Sequence, residues 1–450
     1  MKKILLTAVL LSSALLWGYD FKRPARSIET SGPSRKIDSL VIVKDVSNAS
    51  ISLAAGELRS AVKQLCGFEA KEASAPDKKS FNIILGNGKL AKAAGITDDM
   101  IPQEGFVMLR AGNCLYIAGA EQTGERSTVF GVYDFLERFG NVRYYFPGKY
   151  GTLIPRGKGL SLPEKIRIVD RPDYVYRHLV PGKGKWFEKN QFYEGGGKMP
   201  GPTLQKYRWR DGHMLYPLIH SVHQLDMTRR FGKTHPEYFA LMPSGKRYNT
   251  PELVCTEHFC FSSKFKEEVK KDAQLFFEGK DPAIRDIRIN SGKHGWHWTL
   301  AGSFRTGKFF GVMPGDYLYW CCCPDCAKIA PGERSYTKDP EAAKKISNVV
   351  WAYVADIAEM IKAKGYNGAV AMMAYSPYNH VPDIKLPDNL LVQLAVTGGT
   401  ANPRSMKSGD QFLDAWCKKL NSKVFVWTYP GKHMRKDLPG IPAMAHNRIG

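Results

Sequence analysis

Four of the nine cysteines in this chain of 450 residues lie within six positions, in the stretch YWCCCPDCAK from Tyr319 to Lys328. Cys321, Cys323 and Cys326 form a C-x-C-x-x-C pattern. Thiolates are preferred ligands of zinc, but a closed tetrahedral site needs one ligand more than this pattern supplies. The pattern therefore predicts either a metal site completed from elsewhere in the chain or a set of disulfides.

Four residues outside this stretch are candidates for the missing ligand: Cys255, Cys260, His294 and His297. Disulfides compete with a metal wherever the compartment is oxidising. A nucleophilic thiol is not expected, because no Cys–His–Asn or Cys–His–Asp arrangement is legible in the sequence. We expect a structural cluster that pins a loop, with zinc as the candidate metal, and no other cofactor.

Two carboxylates in loops have sequence surroundings that suit acid–base chemistry. Asp316 lies among aromatic residues in PGDYLYW, and Glu237 lies beside His235 in HPEYF. Cleavage of a glycosidic bond needs two carboxyl groups, about 5 Å apart for retention and up to about 9 Å apart for inversion. The sequence therefore predicts Asp316 and Glu237 as a catalytic pair in one cleft.

A further set of aromatic, histidine and arginine residues could bind a sugar, because aromatic rings stack on its apolar face while polar groups fix its hydroxyls. Arg177 could hold a uronate carboxylate through two parallel hydrogen bonds. The other predicted binding residues are His220, His223, Trp296, Tyr375, His380, Trp427 and Tyr429.

Strand and helix patterns alternate over residues 36–165, which predicts a small α/β sandwich domain. A linker is expected around Pro163–Pro172. The predicted elements are a strand at 40–44, a helix ended by Gly67, a strand at 81–86, a hairpin at 105–120 and a helix ended by Gly140.

Residues 172–450 carry buried strands alternating with amphipathic helices, which is typical of a parallel sheet and most simply of a (β/α) TIM-like barrel. The strongest helix pattern begins at Asp339-Pro340 and ends at Gly365. Only five or six strands precede the last residue, so we expect a barrel that is incomplete at the C-terminus. The predicted strands include 174–180, 284–290, 368–375, 389–396 and 423–429.

The first 18 residues, MKKILLTAVLLSSALLWG, combine two lysines with a short apolar run. This is the pattern of a signal peptide, with an uncleaved anchor as the alternative. A secreted or periplasmic protein without stable membrane insertion after cleavage is expected. The formal charge of +22 would suggest nucleic acid in a cytosolic protein. Behind a signal peptide it fits an anionic polysaccharide better, so no nucleic-acid partner is expected.

Two groups of motifs resemble known families. The stretch QEGFVMLRAGNCLYIAGAEQTGERSTVFGVYDFLERFG, followed by RYYFPGKYGTLIP, resembles the domain that precedes the catalytic barrel in bacterial alpha-glucuronidases and beta-hexosaminidase-like enzymes. The succession THPEYFALMPSGKR, LVCTEHFCFSS, CCCPDC, MMAYSPYNHVPDIKLPDNLLVQLA and VFVWTY resembles the bacterial domain-of-unknown-function family 4838, a glycoside-hydrolase-like barrel. The resemblance implies a secreted carbohydrate-active protein, and the family's similar C-x-C-x-x-C implies a structural role for the cysteines.

One departure from the family pattern affects the site. The family often has an Asp after the strand that IRIN would form, whereas this chain has Ser291-Gly292-Lys293-His294, and Asp316 is the next acid. We predict a glycoside hydrolase acting on a polysaccharide or oligosaccharide, with an acidic polysaccharide as one candidate. The alternative is a non-catalytic glycan-binding protein on a degenerate hydrolase barrel.

Overall fold

The computed structural model describes most of the chain, in thirteen stretches. The chain forms two compact units, Phe21–Met214 and Leu215–Gly450, and the domain boundaries expected from the sequence stay a prediction. The described residues are 26–121, 126–145, 151–173, 177, 207–210, 220–249, 258–288, 303–304, 307–316, 318–332, 339–396, 403–420 and 424–428.

The unit Phe21–Met214 is built on a mixed sheet of seven strands in the order β1-β9-β5-β6-β4-β2-β3. Strands β3, β2, β4 and β6 run parallel, and β5, β9 and β1 continue the sheet in antiparallel pairs. Strands β7 and β8 pair separately. The strands are β1 (Ser27–Lys36), β2 (Leu40–Lys44), β3 (Lys71–Ala73), β4 (Phe81–Leu85), β5 (Phe106–Ala111), β6 (Cys114–Gly119), β7 (Arg143–Tyr144), β8 (Thr152–Leu153) and β9 (Ser161–Asp170).

Two long helices share one hydrophobic core with this sheet. Asn48 caps the first of them by accepting a hydrogen bond from the backbone N–H of Ile51, and Gly67 ends it at a φ of 79°, as its sequence position predicts. The helices that lie wholly within the described part of this unit are α1 (Ala49–Cys66), α2 (Lys89–Ala93) and α3 (Ser127–Phe139), with a 3₁₀ turn at Asp98–Met100.

The stretch after Pro163 is not the linker that the sequence suggested. It belongs to β9, which pairs with β1 on one side and β5 on the other. Ile166 and Ile168 are buried there, while the neighbouring Lys165 and Arg167 are exposed. This alternation of apolar and charged residues is the pattern of a strand with one face on the core. The linker was predicted because prolines lie near both ends of the stretch.

The unit Leu215–Gly450 contains a second sheet, with five strands in the order β10-β11-β12-β13-β14. Strands β11 to β14 are parallel, and β10 pairs antiparallel with β11. The strands are β10 (Ser303–Phe304), β11 (Gly307–Gly311), β12 (Gly368–Ala374), β13 (Leu390–Val396) and β14 (Phe425–Thr428). The helices are α4 (Met227–Phe231), α5 (Phe265–Phe277), α6 (Pro324–Ala327), α7 (Pro340–Ala363) and α8 (Pro403–Leu420), with 3₁₀ turns at Ser221–Leu225, Pro236–Tyr238 and Pro282–Arg285.

Helix α7 begins and ends where its sequence predicts. The Asp339 side chain accepts from the N–H groups of Glu341 and Ala342, Pro340 occupies the first turn, and Gly365 follows the helix at a φ of 71°. Strands β12 and β13 are buried along their whole length, which matches their near-continuous apolar sequence, with Gln393 of β13 as the one polar residue. A mixed α/β fold is confirmed, and closure of the parallel strands into a barrel stays a prediction.

The strand predicted at 284–290 is wrong for its described part. Asp281 accepts from the N–H of Ala283 and Pro282 opens a 3₁₀ turn there, so the chain curls instead of extending. Asp286 then adopts a φ of 55°, outside the strand region. The strand predicted at 174–180 lies outside the described residues except for Arg177, and β11 was not predicted at all.

The predicted signal peptide, residues 1–18, also lies outside the described residues. Within the part of the chain that the structure describes, no helix is both long and apolar enough to cross a membrane.

Candidate functional site

Asp316 and Tyr375 meet at the C-terminal edge of the parallel sheet. Asp316 follows β11, and Tyr375 directly follows β12. The parallel register sets Gly311 opposite Ala371, so both segments leave the sheet at the same edge. There the Tyr375 hydroxyl donates a hydrogen bond of 3.3 Å to Asp316 Oδ1. This is the edge at which α/β proteins build their sites.

His220 completes the group. Its Nε2 lies 3.7 Å from Asp316 Oδ1, and its ring meets the Tyr375 ring edge-on at a centroid distance of 6.1 Å. Its Nδ1 lies 2.9 Å from the carbonyl oxygen of Pro314. Because a carbonyl oxygen only accepts, Nδ1 carries the hydrogen of that bond. A neutral His220 ring therefore turns the lone pair of Nε2 towards the carboxylate.

We call His220, Asp316 and Tyr375 the Asp316 cluster. In it, the Nε2 lone pair of a neutral His220 and the Asp316 carboxylate are both acceptors, so their contact becomes favourable when one of them takes up a proton. The side chains of Asp316 and His220 are 31% and 13% exposed. A ligand oxygen can therefore reach the carboxyl group, and the arrangement can exchange a proton with it.

The segment that carries His220 is joined to the segment after β11 by two hydrogen bonds, one between backbone groups and one from a backbone N–H to a side chain. The N–H of Val222 donates to the carbonyl of Met313, and the N–H of Met313 donates to the buried Ser221 hydroxyl. His220 itself adopts a φ of 41°, in the left-handed region that is costly for a residue with a β-carbon. The position of the ring is thus set by the contacts of the next two residues and by the bond between its own Nδ1 and the Pro314 carbonyl.

Glu237, the second predicted catalytic carboxylate, lies on the 3₁₀ turn Pro236–Tyr238 with its side chain 53% exposed. Its Oε1 lies 3.0 Å from Nδ1 of His235. Slight burial raises the pKa of Glu237, but hydrogen bonds from its own backbone N–H and from His235 outweigh this and lower it. Glu237 is therefore disposed to stay ionised, which suits a base or a nucleophile better than an acid.

Arg177 lies in the other unit, Phe21–Met214, where it forms an ion pair. Its Nη1 is 2.9 Å from the Glu104 carboxylate, and its Nε donates to the carbonyl of Arg210. The Arg177 and Glu104 side chains are only 18% and 4% exposed. The Nε and Nη1 atoms of Arg177 are thus engaged within this unit, and its role in holding a uronate carboxylate stays a prediction.

The remaining predicted binding residues are placed as follows. His380 is exposed, and its carbonyl accepts from the Ser347 hydroxyl. Trp427 lies on β14 opposite Ala395 and packs against the core. His223 lies on the 3₁₀ turn Ser221–Leu225, with its side chain outside the described part of the structure, and Trp296 and Tyr429 lie outside the described residues altogether.

The C-x-C-x-x-C thiols gather around Cys260. The four Sγ atoms of Cys260, Cys321, Cys323 and Cys326 all lie within 4.8 Å of one another, and the four residues are buried. No disulfide joins them. We call this group the cysteine cluster. Cys322 is not among these four residues.

Several hydrogen-bond donors point at the sulfur atoms of the cysteine cluster. The N–H groups of Leu241 and Cys323 donate to Cys321 Sγ at 3.1 Å and 3.4 Å. The pKa of the Cys321 thiol is lowered, first by hydrogen bonds with Cys260 and Cys326 and then by these two N–H groups, against the effect of burial. The arrangement favours a thiolate at Cys321.

Two partners of these clusters were not singled out by the sequence. Ser221 and Pro314 hold the Asp316 cluster together, yet nothing local distinguishes them, because the contacts span more than 90 residues. Cys260 was one of four candidates for the missing ligand, and the choice among them needed its distance to Cys323. The residue types could be recognised as candidates from the sequence, whereas their partners are set by tertiary contacts.

Comparisons with known proteins give one match to a family and several distant similarities to solved structures. The model of a domain of unknown function, DUF4838, matches residues 146–278. A comparison with the curated proteins finds no match. Among solved structures, a beta-N-acetylhexosaminidase from Bacteroides fragilis has 13% identity and a TM-score of 0.38, with 90% of this chain and 75% of that chain covered.

Two other solved structures are similar at the same level. A GH20 beta-N-acetylhexosaminidase from Streptomyces coelicolor has 13% identity and a TM-score of 0.36, over 90% of this chain and 74% of that chain. A GH115 4-O-methyl-alpha-glucuronidase has 12% identity and a TM-score of 0.42, over 94% of this chain and 56% of that chain. The resemblance to family DUF4838 that the motifs indicated is confirmed over residues 146–278.

Proposed function

We propose that this chain is a carbohydrate-active protein of the glycoside-hydrolase type, with Asp316 as its acid–base residue. The observation that carries the proposal is the Asp316 cluster: a partly exposed carboxyl group, contacted by Tyr375 Oη at 3.3 Å and by His220 Nε2 at 3.7 Å. Its position at the C-terminal edge of parallel strands supports the same conclusion, because barrel enzymes build their active sites there.

The roles follow from the donors and acceptors. Asp316 protonates the glycosidic oxygen as the bond to the sugar breaks, and its anion receives a proton back afterwards. The Tyr375 hydroxyl orients the carboxyl group by donating to Oδ1. His220, whose Nδ1 is engaged by the Pro314 carbonyl, offers Nε2 as a proton acceptor beside Oδ1. Glu237, disposed to stay ionised, is the proposed second carboxylate.

Three broader features belong to the proposal. Strands β11 to β14, with α7 before β12 and α8 before β14, are proposed as part of a TIM-like barrel, because parallel strands joined through helices are its repeating unit. An α/β domain over 36–165 and a barrel domain over 172–450 are the proposed organisation. Export to the periplasm or the medium is proposed on the pattern of residues 1–18.

The test is hydrolysis of a panel of aryl glycosides of neutral sugars, N-acetylhexosamines and uronic acids. On the substrate that is turned over, Asp316→Asn should lower kcat by about 10²- to 10⁴-fold, the usual contribution of a general acid. Asp388→Asn is the matched control, because Asp388 is exposed, pairs with Lys362 and precedes β13 at the other end of the strands. Equal losses in both variants would refute the role of Asp316.

A non-catalytic glycan-binding protein is the second candidate function. It is favoured by the exposed position of Glu237, whose carboxylate is paired with His235. In that case the wild type would release no sugar from any member of the panel. It would still bind an oligosaccharide in titration calorimetry, and Asp316→Asn would weaken that binding by removing an acceptor for sugar hydroxyls. A wild type that neither hydrolyses nor binds any of these sugars would refute both functions.

A further inference from the structure

The cysteine cluster has the dimensions of a metal site. Cys260 Sγ lies 3.6 Å from Cys323 Sγ and 3.8 Å from Cys326 Sγ. Four sulfur atoms that each lie about 2.3 Å from a central zinc ion are separated by edges of about 3.8 Å. A disulfide would bring two of these atoms to about 2.05 Å. These two separations match the edges of such a tetrahedron, and all six lie within 4.8 Å, which leaves room for an ion among the four sulfur atoms.

The surroundings of the sulfur atoms point to the same chemistry. Besides the N–H groups of Leu241 and Cys323, the Ser262 hydroxyl lies 3.0 Å from Cys326 Sγ, and Arg247 Nη1 donates to Cys321 Sγ at 3.8 Å. Donors of this kind stabilise sulfur atoms that carry negative charge and orient metal-bound thiolates. The Arg247 guanidinium also offsets part of the excess negative charge of four thiolates around a divalent ion.

We propose that Cys260, Cys321, Cys323 and Cys326 hold a structural zinc ion. The set consists of sulfur ligands only, which suits a soft or borderline ion and does not suit magnesium or calcium. It also supplies four ligands, so no coordination position is left for water or substrate, as in structural rather than catalytic zinc sites. Burial of the four cysteines, with exposures from 0% to 7%, fits this closed arrangement.

The ion would join segments that are distant in the sequence. Cys260 follows Phe259, which forms a β-bridge with Phe239, and Cys323 occupies the position just before the short helix α6. Two further contacts join the same segments. The Phe261 ring stacks on Trp320, and Trp320 Nε1 donates to the carbonyl of Cys326. The metal would thus fix the segment between β11 and α7, which also carries Asp316, without touching the carboxyl group itself.

The experiment measures metal content in the full chain. After purification with a chelator and gel filtration, elemental analysis should find about one zinc ion per chain, the number for a single four-cysteine site. Cys323→Ser should lose the zinc. Cys322→Ser is the matched control, because Cys322 lies between two ligands but outside the cluster, and it should keep the zinc. Zinc loss in both variants, or no zinc in the wild type, would overturn the proposal.

A second measurement separates zinc from disulfides and does not depend on a folded variant. In denaturant without reductant, alkylation and peptide mapping of the wild type should find Cys260, Cys321, Cys323 and Cys326 all labelled. Two or more of these four left unlabelled until reductant is added would mean a disulfide in the cluster and would overturn the proposal. Replacement of the metal by cobalt should give strong thiolate-to-cobalt charge-transfer absorption. A chain that is purified with iron in the site, or cobalt spectra without those bands, would also refute it.

Discussion

The Asp316 cluster and the cysteine cluster lie in the same unit of the molecule and differ in their access to solvent. Asp316 is 31% exposed in its side chain, and its contacts with Tyr375 and His220 are long, at 3.3 Å and 3.7 Å. The four cysteines are buried, and the N–H groups of Leu241 and Cys323 donate to Cys321. A ligand can reach the Asp316 cluster and replace one of its contacts. The buried cysteine cluster offers a ligand no such access.

This difference indicates which residues of the unit contribute to the free energy of unfolding. A buried polar cluster stabilises the fold only when all its members are satisfied, and it becomes costly when one is removed. A partly exposed cluster contributes little to stability, so its residues are available for binding and chemistry. Stability and activity should therefore respond to different substitutions.

The largest effect on stability is expected at the cysteine cluster. Cys260→Ser should lower the free energy of unfolding by about 4 kcal/mol or more, in the range seen when a structural metal is lost. Asp316→Asn should change it by less than about 0.5 kcal/mol, as for a substitution outside the core. Chemical denaturation of both variants checks this. Similar losses in the two would contradict the comparison.

A buried carboxylate that binds no metal tests whether burial alone makes a polar cluster important for stability. Asp272 on α5 is fully buried and accepts from Nη1 of Arg230 at 2.7 Å, and Arg285 donates to it as well. Asp272→Asn should cost about 3 kcal/mol, because it leaves buried positive charge without its partner. Asp388→Asn, which affects an exposed pair, is the control in the same denaturation series. A decrease in the free energy of unfolding of less than about 1 kcal/mol would mean that burial alone does not make a polar cluster important for stability.

Tyr375→Phe should separate orientation from proton transfer within the Asp316 cluster. The ring remains and only the hydroxyl that donates to Asp316 Oδ1 is removed. In the free protein this bond is long, at 3.3 Å, so its loss should leave the free energy of unfolding nearly constant. A hydrogen bond to a charged group is worth about 1.5 kcal/mol or more once it is well formed, so if the bond tightens in the transition state kcat should fall about tenfold. Steady-state kinetics with denaturation as the control measures both. A drop as large as that of Asp316→Asn would assign the chemistry to the phenol instead.

The smallest effect concerns ionic strength. If the excess positive charge of +22 serves an anionic glycan, raising the salt from about 0.05 M to about 0.5 M should weaken binding several-fold, because exposed charges are screened. Binding of a neutral oligosaccharide is the control and should not change. Equal responses for the two ligands would count against an acidic substrate and leave the Asp316 cluster unaffected.

The elements that the sequence predicted well are those whose local pattern agrees with their environment. Strand β12 is apolar throughout and buried throughout, and α7 carries both its N-terminal cap, Asp339, and its terminating Gly365. Strand β11, GKFFG, was missed because it is short and bounded by glycines. The strand predicted at 284–290 was wrong because a capping Asp281 and Pro282 favour a 3₁₀ turn over extension.

The candidate sites were predictable as residue types but not as partners. Asp316 and the C-x-C-x-x-C thiols stood out through their local sequence, whereas His220 reaches the Pro314 carbonyl across 94 positions and Cys260 reaches Cys323 across 63. Arg177 has the residue type for binding a uronate, whereas its ion pair with the buried Glu104, 73 positions away, could not be predicted from the sequence. Pairings at such separations depend on the packing of several elements, which no local pattern encodes.

The left-handed backbone of His220 opposes stability to activity. The residue that would make the folded chain more stable at this position is not the one that the proposed chemistry needs. At a φ of 41°, glycine would relieve strain of about 1 kcal/mol, and asparagine would relieve part of it. Selection for thermal tolerance alone would therefore drive this position away from histidine. A lineage that keeps the imidazole here accepts a less stable chain, so the identity of residue 220 in thermophilic relatives would record whether the Asp316 cluster is still under selection for activity.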